Sequence, residues 1–123
     1  MARKKILLVD DAETILMMER MILSKGSYEF VMAKDGEEAI LKAASEKPDL
    51  ILLDVVMPKM DGFTVCRQLR GKEATKETPI IMVTTRGEAK NLELGFESGC
   101  TDYVAKPING LELVSKVKNY LGE

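Results

Sequence analysis

The sequence predicts an α/β fold: a doubly wound, five-stranded parallel sheet in the order 2-1-3-4-5 with five helices. Three observations predict it. The apolar runs Ile6–Val9, Leu50–Leu53 and Ile80–Val83 read as strands buried on both faces, the habit of a parallel sheet. Strand and helical patterns alternate five times, without a repeat, linker or low-complexity tract. The less apolar strands, Tyr28–Ala33 and Tyr103–Ala105, suit the edges, and right-handed crossovers then fix the order.

Each element has its own signal. Ile15, Met18 and Ile22 recur at helical spacing until Lys25-Gly26 closes the first helix. Tyr28, Phe30 and Met32 alternate with polar or smaller residues, as in a strand exposed along one side. Asp35-Gly36 turns the chain into a second helix marked by Ala39, Ile40, Ala43 and Ala44, stopped by Pro48. Residues 55–62 form a loop with turn chemistry at both ends, in which Met57 and Met60 cover the sheet end. Phe63, Cys66 and Leu69 give the third helix its inner stripe, and Thr78-Pro79 leads into the fourth strand. Ala89, Leu92 and Phe96 line the fourth helix, which Gly99 ends, and Leu111, Val114, Val117 and Leu121 mark the last. Met18 and Met21 read as core filler.

At 123 residues the chain reads as one domain, residues 1–123, large enough for a layer on each side of a sheet. A net charge of -2 with scattered Lys and Arg argues against direct nucleic-acid binding, and no apolar run is long enough for a signal peptide or a membrane span. Histidine is absent, which excludes a His-containing triad, a His-ligated zinc site and a phosphohistidine on this chain. Cys66 and Cys100 lack metal-ligand spacing and read as two reduced structural thiols of a cytosolic protein.

The chemistry gathers where the strands end. The three apolar runs stop on Asp10-Asp11, on Asp54 and on Thr84-Thr85, and Tyr103-Val104-Ala105 stops on Lys106-Pro107. Ligands of such sheets sit beyond the carboxyl ends of the strands, here at the reversal of winding between strands one and three. A cluster of three carboxylates either keeps a proton or binds a cation, and hard oxygen ligands without His or Cys point to Mg²⁺. With the Lys106 ammonium and the Thr84 hydroxyl, the groups suit a phosphoryl group, and Asp54, alone on the central strand, is the best nucleophile.

The chain resembles the receiver domains of two-component response regulators, the CheY-like domains, over essentially its whole length. The motifs are Leu8-Val9-Asp10-Asp11, Leu52–Pro58 with Met60-Asp61-Gly62, Val83-Thr84-Thr85, and Tyr103–Pro107. The resemblance implies that Asp54 accepts a phosphoryl group from a sensor histidine kinase. It implies Mg²⁺ on Asp11, Asp54 and the Val56 carbonyl, with Asp10 joining directly or through water. Lys106 would pair with the phosphoryl oxygens, the Lys106-Pro107 bond would be cis, Thr84 would swing toward the phosphoryl group, and Tyr103 would move inward behind it. The fourth helix, fifth strand and fifth helix would carry the signal to a downstream protein target. The protein would then be a cytoplasmic switch, a monomer or a weak phosphorylation-linked dimer. It would not be an enzyme beyond catalysing its own phosphorylation and slow autodephosphorylation. Two positions depart from the common pattern: Val56 is apolar and cannot orient water, and Thr85 is bulkier than the usual Ala or Gly.

Each feature alone has a plainer reading. Asp10-Asp11 could cap the first helix, Asp54 could be a turn residue, Thr84-Thr85 a strand end, Lys106 a solvated lysine and Tyr103 an edge-strand aromatic. Convergence at one sheet end separates the two sets of readings. Competing functions are a Mg²⁺-dependent aspartyl-phosphate phosphohydrolase and a flavin carrier. The first wants acids one residue apart and usually a cap domain; the second wants a Ser/Thr/Gly-rich phosphate loop where Asp10-Asp11-Ala12-Glu13 stands. A receiver excised from a longer regulator is a further alternative.

Overall fold

A computed structural model describes residues 3–85 and 89–123, the side chains of 89–92 excepted. The order is β1 (Lys4–Val9), α1 (Glu13–Leu23), β2 (Tyr28–Ala33), α2 (Gly36–Glu46), β3 (Leu50–Asp54), α3 (Gly62–Arg70), β4 (Ile80–Thr85), α4 (Ala89–Ser98), β5 (Asp102–Lys106) and α5 (Gly110–Leu121). The strands pair in parallel as β2-β1-β3-β4-β5, as the sequence predicts. Among the described residues no helix is long and apolar enough to cross a membrane.

Strand alternation divides the core in two. Leu7, Val9, Ile51, Leu53, Ile80 and Met82 face α2, α3 and α4. Ile6, Leu8, Leu50, Leu52, Ile81 and Val104 face α1 and α5. Both cysteines are buried and free in the first layer. Met57 is buried and Met60 packs on the same layer, so this pair does cover the loop end of the sheet.

Helix starts are set by side chains. Asp35, Asp61 and Asn109 are N-caps that accept the backbone N–H of Glu38, Thr64 and Glu112 at 2.8–3.0 Å. Asp35 is thus a helix cap rather than merely a turn residue. Helix α2 closes on Lys47 in the left-handed region, ahead of Pro48, and α4 closes on Gly99, also left-handed.

Several packing expectations need correction. The buried face of α1 is Leu16, Glu19 and Leu23, with Ile15 and Ile22 only half-buried. Met18 is exposed, and Met21 is 72% exposed, so neither is core filler. Helix α1 carries apolar residues around most of its girth, so spacing alone left its inward face open to several choices. Leu111 is 86% exposed, and α5 buries Leu113, Val117 and Leu121 instead, with Val114 packed at the margin. Phe96 is 51% exposed, with Gly95 and Ser98 turned inward. Ala44 is exposed, while Ala39 and Ala43 are buried. In β2, Val31 packs on the α2–α4 layer while Phe30 and Met32 pack on the other, so the strand is half-covered on both sides. The side chains of Ala89 and Leu92 lie outside the described residues.

Candidate phosphoryl and metal site at the sheet end

Parallel register carries every strand end to one rim. Val9 stands beside Leu53, Asp54 beside Val83, and Thr85 beside Lys106, so the residues that follow β1 meet the ends of β3, β4 and β5. Asp10, Asp54 and Lys106 continue the alternation of Leu8, Leu52 and Val104, toward α1 and α5. Thr84 and Tyr103 share the opposite parity with Met82. The site straddles the sheet end.

One carboxylate oxygen from each of Asp10, Asp11 and Asp54 lies within 4.8 Å of the other two. Asp10 and Asp54 are buried, whereas Asp11 is exposed and opens the cluster to solvent. The Lys106 ammonium donates to Asp54 Oδ1 at 3.1 Å and to Asp10 Oδ2 at 3.4 Å. The Lys106-Pro107 peptide is cis, as the resemblance implies. Lys106 is therefore no solvated lysine. Nor does the acid pair cap α1: its N-cap is Ala12, without a side-chain cap, and Asp10 Oδ1 accepts the Ala12 N–H at 2.9 Å. That bond fixes the Asp10 carboxylate, leaving Oδ2 toward Lys106.

The turn after β3 fits closely. Gly62 donates its N–H to the Val55 carbonyl at 2.9 Å, and a Cβ at Gly62 would come within 2.4 Å of the Asp54 carbonyl oxygen. Only glycine lets the start of α3 pack against the strand end that presents Asp54. Val55 is buried, and Val56 turns outward with 70% exposure. Thr84 is buried at the end of β4, and Thr85 is exposed. Tyr103 lies three residues before the end of its strand, outside the carboxylate cluster.

Among the described residues negative charge is in surplus here, since Lys106 alone pairs with the cluster, and with two of its three carboxylates. Burial, with Asp10 close by, pushes the Asp54 carboxyl up despite the bond to Lys106. Burial alone would lower Lys106; its bonds to Asp54 and Asp10 outweigh that and raise it, so the ammonium stays charged. An all-oxygen cluster with surplus negative charge and one exposed member fits a hard divalent cation such as Mg²⁺.

Comparison with known proteins bears on what this rim belongs to. The family model of the response regulator receiver domain matches residues 6–118. The chain belongs to this family. A curated relative, the alkaline phosphatase synthesis transcriptional regulatory protein PhoP of Bacillus subtilis, is 46% identical over 118 residues, 96% of this receiver and 48% of PhoP. The receiver thus spans about half the length of that relative, and the transcriptional role in its name belongs to PhoP. Among solved structures, a response regulator from Chloroflexus aurantiacus superposes with a TM-score of 0.95 at 38% identity, covering 99% of this receiver and all of that chain. The receiver domain of the sensor histidine kinase PA1611 from Pseudomonas aeruginosa gives 0.90 at 30% identity, with 99% and 100% coverage. That crystal structure has a magnesium ion coordinated in its active site cleft.

One acid escaped the reading of the sequence. Glu19 is 1% exposed on the inner face of α1, and its Oε1 has no hydrogen-bond partner. Burial first, then repulsion from Asp10, raises its carboxyl from 4.5 to about 8. The spacing Leu16–Glu19–Leu23 could have revealed it, because it places an acid on an apolar stripe.

Proposed function

We propose that this receiver domain is a phosphorylation-controlled switch whose acceptor is Asp54. The observation that carries the reading is the Lys106 ammonium bonded to a buried aspartate at the meeting point of two further carboxylates. An Asp54 carboxylate oxygen attacks phosphorus in a donor phosphohistidine of a sensor histidine kinase. The P–N bond breaks as the acyl C–O–P link forms, and the imidazole leaves with the electron pair. Asp11, Asp54 and the Val56 carbonyl, with Asp10 directly or through water, would hold Mg²⁺. When bound, that ion neutralises phosphoryl oxygens as charge builds on them. Lys106 gives up its bond to Asp54 and takes a phosphoryl oxygen, and Thr84 offers its hydroxyl from the opposite face.

Output in this reading is a change in the α4–β5–α5 surface, read by another protein. Asp54 goes from one negative charge to about two, which biases a two-state arrangement of Thr84 and Tyr103. The protein is then no enzyme toward other substrates, resides in the cytoplasm, and is a monomer or a weak phosphorylation-linked dimer.

Incubation with acetyl phosphate and Mg²⁺, followed by intact-mass measurement, tests the reading. One added phosphoryl group that disappears in Asp54→Ala is the expected result. Turnover of many equivalents without a mass change would instead indicate a phosphohydrolase.

The exposed, apolar Val56 offers no group to orient an attacking water beside the acyl phosphate. Val56→Asn is therefore expected to shorten the lifetime of the phosphorylated protein severalfold, followed as decay of the phosphorylated mass after removal of donor. An unchanged lifetime would rule out that role for position 56.

A further inference from the structure

We infer that Phe96 and Lys116 are positioning residues that latch the Tyr103 ring in its half-buried place between α4 and α5, against the α2–α4 core layer. The Phe96 ring meets the Tyr103 ring edge-on, with centroids 6.3 Å apart and planes at 86°. Phe96 does this while half in solvent, on a helix whose buried positions among the described residues are Gly95 and Ser98. It is no core residue; its ring contact is with Tyr103. The Lys116 ammonium sits 4.8 Å from the centre of the same ring.

Lys116 is fixed independently of that ring. Its ammonium donates to the Tyr103 carbonyl and to Asp102 Oδ1, and it pairs with Glu112 at 3.7 Å. Asp102 in turn accepts the Tyr120 hydroxyl at 2.8 Å and the Tyr103 N–H at 2.7 Å. The cation is therefore ordered before the ring lies against it, so the contact costs little further side-chain entropy.

Register supplies the alternative position. Tyr103 stands beside Met82, and Thr84 beside Ala105, so Tyr103 and Thr84 lie diagonally on one face of the sheet. Ala105, next along that face toward the site, contributes only a methyl group. A ring that leaves Phe96 and Lys116 has its way to Thr84 over that methyl. Its departure also uncovers Phe96, so the outer face changes in shape and in apolar exposure together. The link to phosphorylation rests on the function proposed above; the latch itself belongs to the unphosphorylated protein.

The test uses the full chain labelled with 3-fluorotyrosine, which has three tyrosines and no tryptophan. Tyr103→Phe identifies the Tyr103 fluorine resonance, and the Tyr28 resonance reports intact folding. In unphosphorylated Phe96→Leu, the Tyr103 resonance is expected to move, corresponding to a released-to-latched ratio about two- to tenfold higher, the range of one aromatic pair. The rate of acetyl phosphate labelling at Asp54 should rise by a similar factor. Phe96→Tyr, which keeps the ring, should match the parent in both. An unmoved Tyr103 resonance in Phe96→Leu overturns the latch. A moved resonance with an unchanged labelling rate overturns its control of the switch. A chain that Asp54 never labels overturns the proposed function and leaves the resonance result standing.

Discussion

Lys106→Met is expected to slow labelling of Asp54 by acetyl phosphate about 10²- to 10³-fold, the scale for losing one preorganised charge at a developing anion. Methionine keeps most of the side-chain volume and removes only the charge that reaches Asp54 at 3.1 Å and Asp10 at 3.4 Å. Three carboxylates then face one another without the one ammonium that pairs with them among the described residues. The variant should also lose stability in chelator, by roughly 1–3 kcal/mol, because two buried acids lose a charged partner. Millimolar Mg²⁺ should restore much of that loss. Labelling kinetics by intact mass and urea melts with and without Mg²⁺ measure both effects. A rate loss below about threefold would show that Lys106 is a structural counter-ion and no part of the transfer chemistry.

Glu19→Leu is expected to stabilise the fold, and more so as pH rises. The Glu19 carboxyl is raised from 4.5 to about 8 by burial and by Asp10, with Asp54 adding to the repulsion and Lys106 opposing it. Between those values the folded chain holds a proton that the unfolded chain releases. Folding stability therefore falls as pH rises through that window, with a slope of about 1.4 kcal/mol per pH unit at most from this one group. Below pH 4.5 both states are protonated, and the only remaining penalty is an unpartnered polar atom in an apolar layer, about 1–3 kcal/mol. Leucine removes both costs at similar volume. Urea melts of the parent and the variant in chelator should diverge steadily from pH 5 to pH 8. Parallel curves would mean that Glu19 reaches solvent or a partner when ionised.

Strand ends, edge strands and the acid–lysine rim were legible because they rest on runs of sequence. An uninterrupted apolar run fixes a strand in a parallel sheet, and register then brings Asp10, Asp54, Thr84 and Lys106 to one rim wherever each lies in the chain. Helix faces were less legible. In α1, apolar residues occupy so many positions that inward and outward stripes differ by a single residue, and spacing favours Met18 where the fold buries Glu19. In α5, Leu111 and Leu113 compete for the same stripe, and only docking against α1 decides between them. The contacts of Tyr103 with Phe96 and Lys116 join three elements, and no spacing within any one of them encodes that meeting.

Because Asp10, Asp54 and Lys106 hang from one side of the strands while Thr84 and Tyr103 hang from the other, affinity and response have separate upholstery under the proposed function. Under the proposed function, substitutions beneath α1 should retune how tightly the rim would hold a cation, with little effect on the surface around Tyr103. Those beneath α3 and α4 should do the reverse. A lineage could thus alter whom the domain answers without disturbing how it is charged.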